Sequence, residues 1–195
     1  MFLSGLWLRL AAIVISIALL TGCGSRQVQD SLAGSTAQRL VTHSIDDLAA
    51  GLPDSDFAPL RGQRLRLETH FIEEGPLKDY ADRRLALELV RRFGIEVVDE
   101  GPADLVMSVF YTSLGTDQGV LGFYLPLGFV PGLAETTRVN LITLEQFHGV
   151  SELYYFIGPK GREQRGALMR ARVRTDAVGL PIITIPISNL DYGRD

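Results

Sequence analysis

Apolar positions along this chain fall into one long run near the start and, after it, short stretches with helical or strand spacing. Over residues 35–50, Ala37, Leu40, Val41, Ser44, Ile45 and Leu48 recur at steps of three and four, which lays one stripe along a helix. Ser35 with Gln38 three positions on predicts a capping box at its start, and Gly51 before Pro53 predicts its end. Over 64–72, Leu65, Leu67, Thr69 and Phe71 alternate with Arg64, Arg66, Glu68 and His70, the pattern of a half-buried strand. A second helix is predicted from Pro76, a favoured first helical residue, to the turn before Gly94. Leu77, Ala81, Leu85, Leu89 and Phe93 form its buried side, Glu73, Glu74 and Asp79 suit its positive end, and Glu88 is placed to pair with Arg92.

Residues 95–99 read as a short strand, and 105–113, apolar on both faces, as a central one. Further strands are predicted over 136–144, 152–157 and 166–175, the last two joined by the turn Gly158-Pro159-Lys160-Gly161. Pro181 and Pro186 push residues 182–187 to an edge or to irregular structure. The sum is an α/β (α+β) two-layer sandwich, a mixed sheet with two main helices, in a single domain over 35–195.

The apolar run near the start has another meaning. Arg9 is the only charge before Arg26, and residues 10–20 are apolar but for one serine, the layout of a secretory leader. Counted from Phe2, the stretch approaches the roughly 20 residues of a spanning helix, so an uncleaved anchor is the alternative. The ending decides: Leu20-Thr21-Gly22-Cys23 resembles the lipobox of bacterial lipoproteins, and Cys23 is the only cysteine. That resemblance implies cleavage between Gly22 and Cys23, a diacylglyceryl group on the Cys23 sulfur, and an acyl chain such as palmitate on the new amino terminus. Gly24 stands where aspartate retains some lipoproteins in the inner membrane, which points to the outer membrane, facing the periplasm. Residues 23–34 are small and polar and predict a lipidated flexible tether. About 11 such residues span roughly 18 Å on average and about 37 Å at full stretch.

Cleavage after residue 22 leaves 173 residues, enough to bury around 70% of the unfolded surface without a staple. With no second cysteine there is neither an intramolecular disulfide nor a thiolate metal site. The formal net charge of -4 argues against nucleic acid as a partner.

Two resemblances bear on the fold. The order strand, helix, short strand, then a strand introduced by Ala103-Asp104-Leu105-Val106 is similar, over about fifty residues (64–113), to two kinds of envelope domain. These are the amino-terminal domain of the Tol system's propeller protein and the periplasmic domain of the curli export lipoprotein. A second resemblance, over nearly the whole mature chain, is to a family of uncharacterised bacterial lipoproteins. It is carried by Ser44-Ile45-Asp46, Leu60-Arg61-Gly62-Gln63, Ala103-Asp104-Leu105-Val106 and Gly115-Thr116-Asp117. It implies no catalytic residues.

Little in the sequence points to catalysis. His43, His70 and His148 lie in different elements, without the spacing that sets two ligands on one helix face, and no cofactor or metal is expected. No nucleophile elbow, phosphate loop or dinucleotide fingerprint is present. Gly115-Thr116-Asp117-Gln118-Gly119 reads as an Asx-type turn, with an anion cradle as its alternative. Two features point to binding. Arg170, Arg172 and Arg174 alternate along one predicted strand, with Arg162 and Arg165 before them, and so present guanidinium groups on one face, either to an anionic partner or simply to solvent. Residues 118–134 hold no charge, four glycines and two prolines, and predict a long loop whose Phe123, Tyr124, Leu125 and Phe129 either complete the core or form an exposed apolar patch. The expectation is a non-enzymatic, membrane-anchored envelope lipoprotein. It would act as an interaction or assembly module on the bilayer, with an envelope protein as a further partner; the alternative is a carrier of a small apolar or lipid ligand at 118–134.

Overall fold

The computed structural model describes residues 23–28, 34–70, 73–127, 131–132, 138–181 and 183–187. The expected leader with Gly22, residues 29–33 of the expected tether, Phe71 and Phe129 lie outside the described residues.

In chain order the elements are β1 (Cys23–Val28), α1 (Ser35–Ala50), α2 (Asp54–Phe57), a 3-10 turn (Ala58–Leu60), β2 (Arg64–His70) and α3 (Pro76–Phe93). There follow β3 (Glu96–Val97), β4 (Leu105–Pro126), β5 (Arg138–Gly158), β6 (Gln164–Gly179) and β7 (Thr184–Ile187). The sheet order is β3-β2-β4-β5-β6-β7, with β1 paired to β4 off that path. β2 is parallel to β3 and β4, while β1 with β4 and β6 with β7 are antiparallel, so the sheet is mixed as the pattern predicts.

The described residues group into two compact units where the pattern predicts one domain over 35–195. One holds residues 31–117 and 148–174, the other the remainder, and β4, β5 and β6 each carry residues of both.

The first unit is a two-layer α/β sandwich. α1 buries Leu40, Val41, Ile45 and Leu48, and α3 buries Ala81, Leu85, Leu89 and Phe93, the stripes read from the sequence. They pack on one face of the sheet against Leu65, Met107, Val109, Tyr111, Leu153 and Tyr155. Pro76 opens α3 and Gly94 closes it at φ 66°, a left-handed position that costs glycine little. Glu88 and Arg92 approach to 3.9 Å on its outer side. The capping box at Ser35 does not form: the N-cap is Gly34, whose carbonyl accepts the Gln38 N–H at 3.1 Å, and Ser35 is already helical.

Asp104 explains the short Ala-Asp motif. Its carboxylate accepts the Arg64 backbone N–H at 3.0 Å while its own N–H donates to the Arg64 carbonyl at 2.8 Å, which holds the starts of β2 and β4 together. The backbone hydrogen bond, then the Arg64 guanidinium, pulls the Asp104 carboxyl below its ordinary range.

In the second unit the structure departs from the sequence pattern. Residues 118–126 continue β4 rather than forming a loop, and 115–119 are strand rather than an Asx turn. Residues 23–28, expected as free tether, pair with this extension, Cys23 opposite Phe123 and Val28 opposite Gln118. Pairing satisfies backbone groups and asks no apolar side chains of the added strand, so the Gly-Ser-Arg-Gln composition conceals it. The strands predicted over 136–144 and 152–157 are one strand, β5. β7 is the edge strand that its prolines predict, with all four residues exposed.

Candidate interaction site

The face of the first unit's sheet away from α1 and α3 carries a row of rings. Phe110 of β4 stacks on Tyr154 of β5 at 5.0 Å between centroids and 7° between planes. His70 of β2 lies 5.0 Å from Phe110 on one side, and Phe156 meets both Phe110 and Tyr154 edge-on. Strand alternation builds this row: the neighbours Val109, Tyr111 and Tyr155 point to the helices and are buried, so these rings point the other way and are half-buried or exposed.

Arginines border the rings. Met169 of β6 faces the core, while Arg170, Arg172 and Arg174 are exposed, as the alternation predicts. Arg165 lies over the Tyr154 ring at 5.5 Å, a cation–π contact. Arg170 Nε stands 3.6 Å from Glu152, whose other oxygen accepts the Thr112 hydroxyl at 2.8 Å. With Arg170 63% exposed, such a pair contributes about 0–1 kcal/mol, so a ligand's carboxylate can displace it at small cost.

The strand that carries the arginines is also an edge. β7 pairs with residues 176–179 of β6 only, so among the described residues the outer side of β6 over 164–175 has no strand beside it. A shallow groove of about 250 Å³ runs along part of that edge, between Ala167, Leu168, Met169 and Arg170 and the end of α1 at Asp47, Leu48 and Gly51. Leu168, 62% exposed, adds an apolar side chain to the row.

Several buried polar groups of the first unit bond to one another. Asp82 accepts from Thr69 at 2.9 Å, from Lys78 Nζ at 3.1 Å and from the Tyr111 hydroxyl at 2.9 Å. Burial pulls the Lys78 ammonium down, but hydrogen bonds to Asp82 and Glu74 outweigh it and hold the group above its ordinary range. Burial first, then the Asp82 charge, pushes the Tyr111 phenol far up, so it stays a hydrogen-bond donor. Tyr155 is held the same way, by burial and a 2.6 Å hydrogen bond to Asp56. Ser44 and Ser151 share a hydrogen bond of 2.7 Å where α1 meets β5. This wiring locks helices to sheet. Asp82→Ala, which leaves the buried Tyr111 phenol without its acceptor and the Lys78 ammonium with Glu74 alone, is expected to cost about 3 kcal/mol, read as a lowered urea midpoint; a loss under about 1 kcal/mol would contradict the lock.

Among the described residues no three His, Cys, Asp or Glu side chains are placed to hold a metal ion, and no helix is long and apolar enough to cross a membrane. The three histidines remain apart: His43 half-buried on α1, His70 in the ring row, His148 buried on β5. In the second unit, Phe123 and Leu125 are exposed on β4. The arginine row was legible from alternation alone. The rings leave a fainter trace in the sequence, the pair Tyr154 and Phe156 spaced by two.

No protein-family model matches this chain, and no curated protein matches it either.

Proposed function

We propose that the chain is a lipoprotein of the bacterial envelope, anchored through acylated Cys23 to the outer membrane and facing the periplasm, and that it works as an interaction module and not as an enzyme. Its partner is an envelope protein with an acidic, extended segment, which adds as a strand to the open edge of β6. The observation that carries this reading is the coincidence, among the described residues, of an edge with no strand beside it and an exposed arginine row on one strand. Backbone groups of an edge supply affinity to any extended peptide, and the side chains facing it supply selection. Arg170, Arg172 and Arg174 would select for carboxylates at alternate positions, and the half-exposed rings of Phe110 and Tyr154 would receive apolar ones. The same row discourages self-pairing, since two copies joined edge to edge would set like charges against each other.

The test is extraction in mild detergent followed by pull-down with wild type and with the double reversal Arg170→Glu, Arg172→Glu. Both residues are exposed, so the fold should tolerate the change. Recovery of the partner is expected to fall by about tenfold or more. Recovery of the same partners at unchanged yield would show the arginines to be a solvated face and overturn the reading.

A further inference from the structure

We propose that the unit built from β1, β7 and the adjoining parts of β4, β5 and β6 seats its apolar side chains in the boundary layer of the bilayer, so that the anchor has two parts, acyl chains and protein. This rests on the reading of Cys23 as the acylated residue. Of the eleven large apolar side chains exposed among the described residues, eight lie in this unit. On β4, Leu121, Phe123 and Leu125 are exposed to 49%, 46% and 51% at every second position, which puts them on one side of the strand. Ile142 on β5 is exposed to 55%, and residues 118–134 carry no charge. Isolated exposed apolar residues are ordinary, but a concentration in one unit marks a surface that meets something.

The register of β1 identifies what it meets. Cys23 is paired with Phe123 and Ser25 with Leu121, and paired strands lie about 4.8 Å apart. Lipid on Cys23 therefore leaves the protein one strand away from the exposed row. Acyl chains must enter the bilayer at the point of attachment, and the side chains next to that point are then held at the headgroup boundary. A leucine and phenylalanine row suits that depth, where charges would not. A shallow apolar groove of about 410 Å³, lined by Leu121, Phe123, Ile142, Leu144 and Val178, adjoins it.

The test removes the acyl chains and asks whether the protein still finds a membrane. Trp7 is the only tryptophan and belongs to the leader, so the mature chain from residue 23, made with Cys23→Ser and Phe123→Trp, carries a single reporter at the proposed contact. Mixed with vesicles of phosphatidylethanolamine and phosphatidylglycerol, it is expected to shift to the blue, to be quenched by lipids brominated near the headgroup, and to float with the vesicles. Leu121→Asp with Leu125→Asp should lower flotation at least tenfold at an unchanged thermal midpoint; should that pair unfold the chain, the quenching alone decides. An unshifted spectrum with vesicles overturns the proposal. So does a shift that depends on protein concentration without vesicles, which would make the row a contact between copies, or one lipid retained in stoichiometric amount with no flotation, which would make the groove a carrier site. Acylation of Cys23 is read separately, by label uptake, so a failure of that reading is not mistaken for a failure here.

Discussion

Replacing Cys23 by serine is expected to abolish uptake of labelled palmitate completely while leaving the fold intact. On the proposed reading the sulfur is the nucleophile on which the lipid is built, and no other cysteine exists to take its place. Nor is any disulfide lost. β1 meets β4 through Cα partners and backbone pairing, which serine supports as well as cysteine does, so the thermal midpoint should not move. Location should change as sharply as labelling. One acyl chain holds a protein marginally and two hold it stably, at about 0.8 kcal/mol per buried methylene. The Cys23→Ser chain, delivered by a leader of another type in place of residues 1–22, should therefore leave the membrane pellet on washing. What the exposed Leu121 and Phe123 row would contribute, on the inference above, is reversible and would be diluted away. Undiminished label in the variant, or none in wild type, would remove the basis for the anchor.

How much of this could be read from the sequence depends on what each residue answers to. α3 was legible from Pro76 to Gly94, because local preference, apolar period and terminal glycine all agree over its 18 residues. The core strand from Leu105 was legible as central, since it is apolar on both faces. The extension of β4 beyond Asp117 was not. Glycines and prolines there lower strand preference, and one of them answers in part to a tertiary contact: at Gly122, besides a φ of 147°, a side chain would meet the Ile142 carbonyl oxygen, on the neighbouring strand, at 2.3 Å. β5 was split in two for the same kind of reason, because Gly149 and its polar neighbours interrupt the alternation.

The candidate site divides likewise. Arg170, Arg172 and Arg174 follow a period of two on one strand, so their common face is a local property. That, among the described residues, the outer side of β6 over 164–175 has no strand beside it depends on strand order, which no local pattern encodes. Asp82, Lys78 and Tyr111 come from α3 and β4 and read singly as a surface carboxylate, a surface amine and a core ring. Only packing of the helix on the sheet makes them one network. The proposed anchor is the opposite case: Leu20-Thr21-Gly22-Cys23 resembles a motif that an enzyme reads as extended chain, so what it implies is all in the sequence.

Gly149→Ala is expected to destabilise the fold more than any other single methyl addition to the first unit's helix contacts. A β-carbon there would stand 2.1 Å from the Leu40 carbonyl oxygen and 2.9 Å from the Val41 nitrogen, so α1 crosses β5 with its backbone against the glycine. Both atoms belong to a helical backbone, which no rotamer change can move aside. To admit the methyl, α1 must lift by an ångström or more, and Leu40, Val41, Ile45 and Leu48 lift with it. The 2.7 Å hydrogen bond between Ser44 and Ser151 breaks in the same movement and leaves two hydroxyls buried. Overpacking costs about 1–3 kcal/mol where neighbours can shift, and losing a buried hydrogen bond about 1–3 more. Together these take a large part of the 5–15 kcal/mol typical of a whole domain, so the variant should be recovered mostly insoluble, or with a urea midpoint lowered by a third or more. Gly115→Ala is the control. It lies on β4 with nothing within 4 Å of an added β-carbon, and should be neutral or slightly stabilising. Equal behaviour of the two variants would mean that α1 does not press on β5 at Gly149, and that the helix is held instead by its apolar stripe alone.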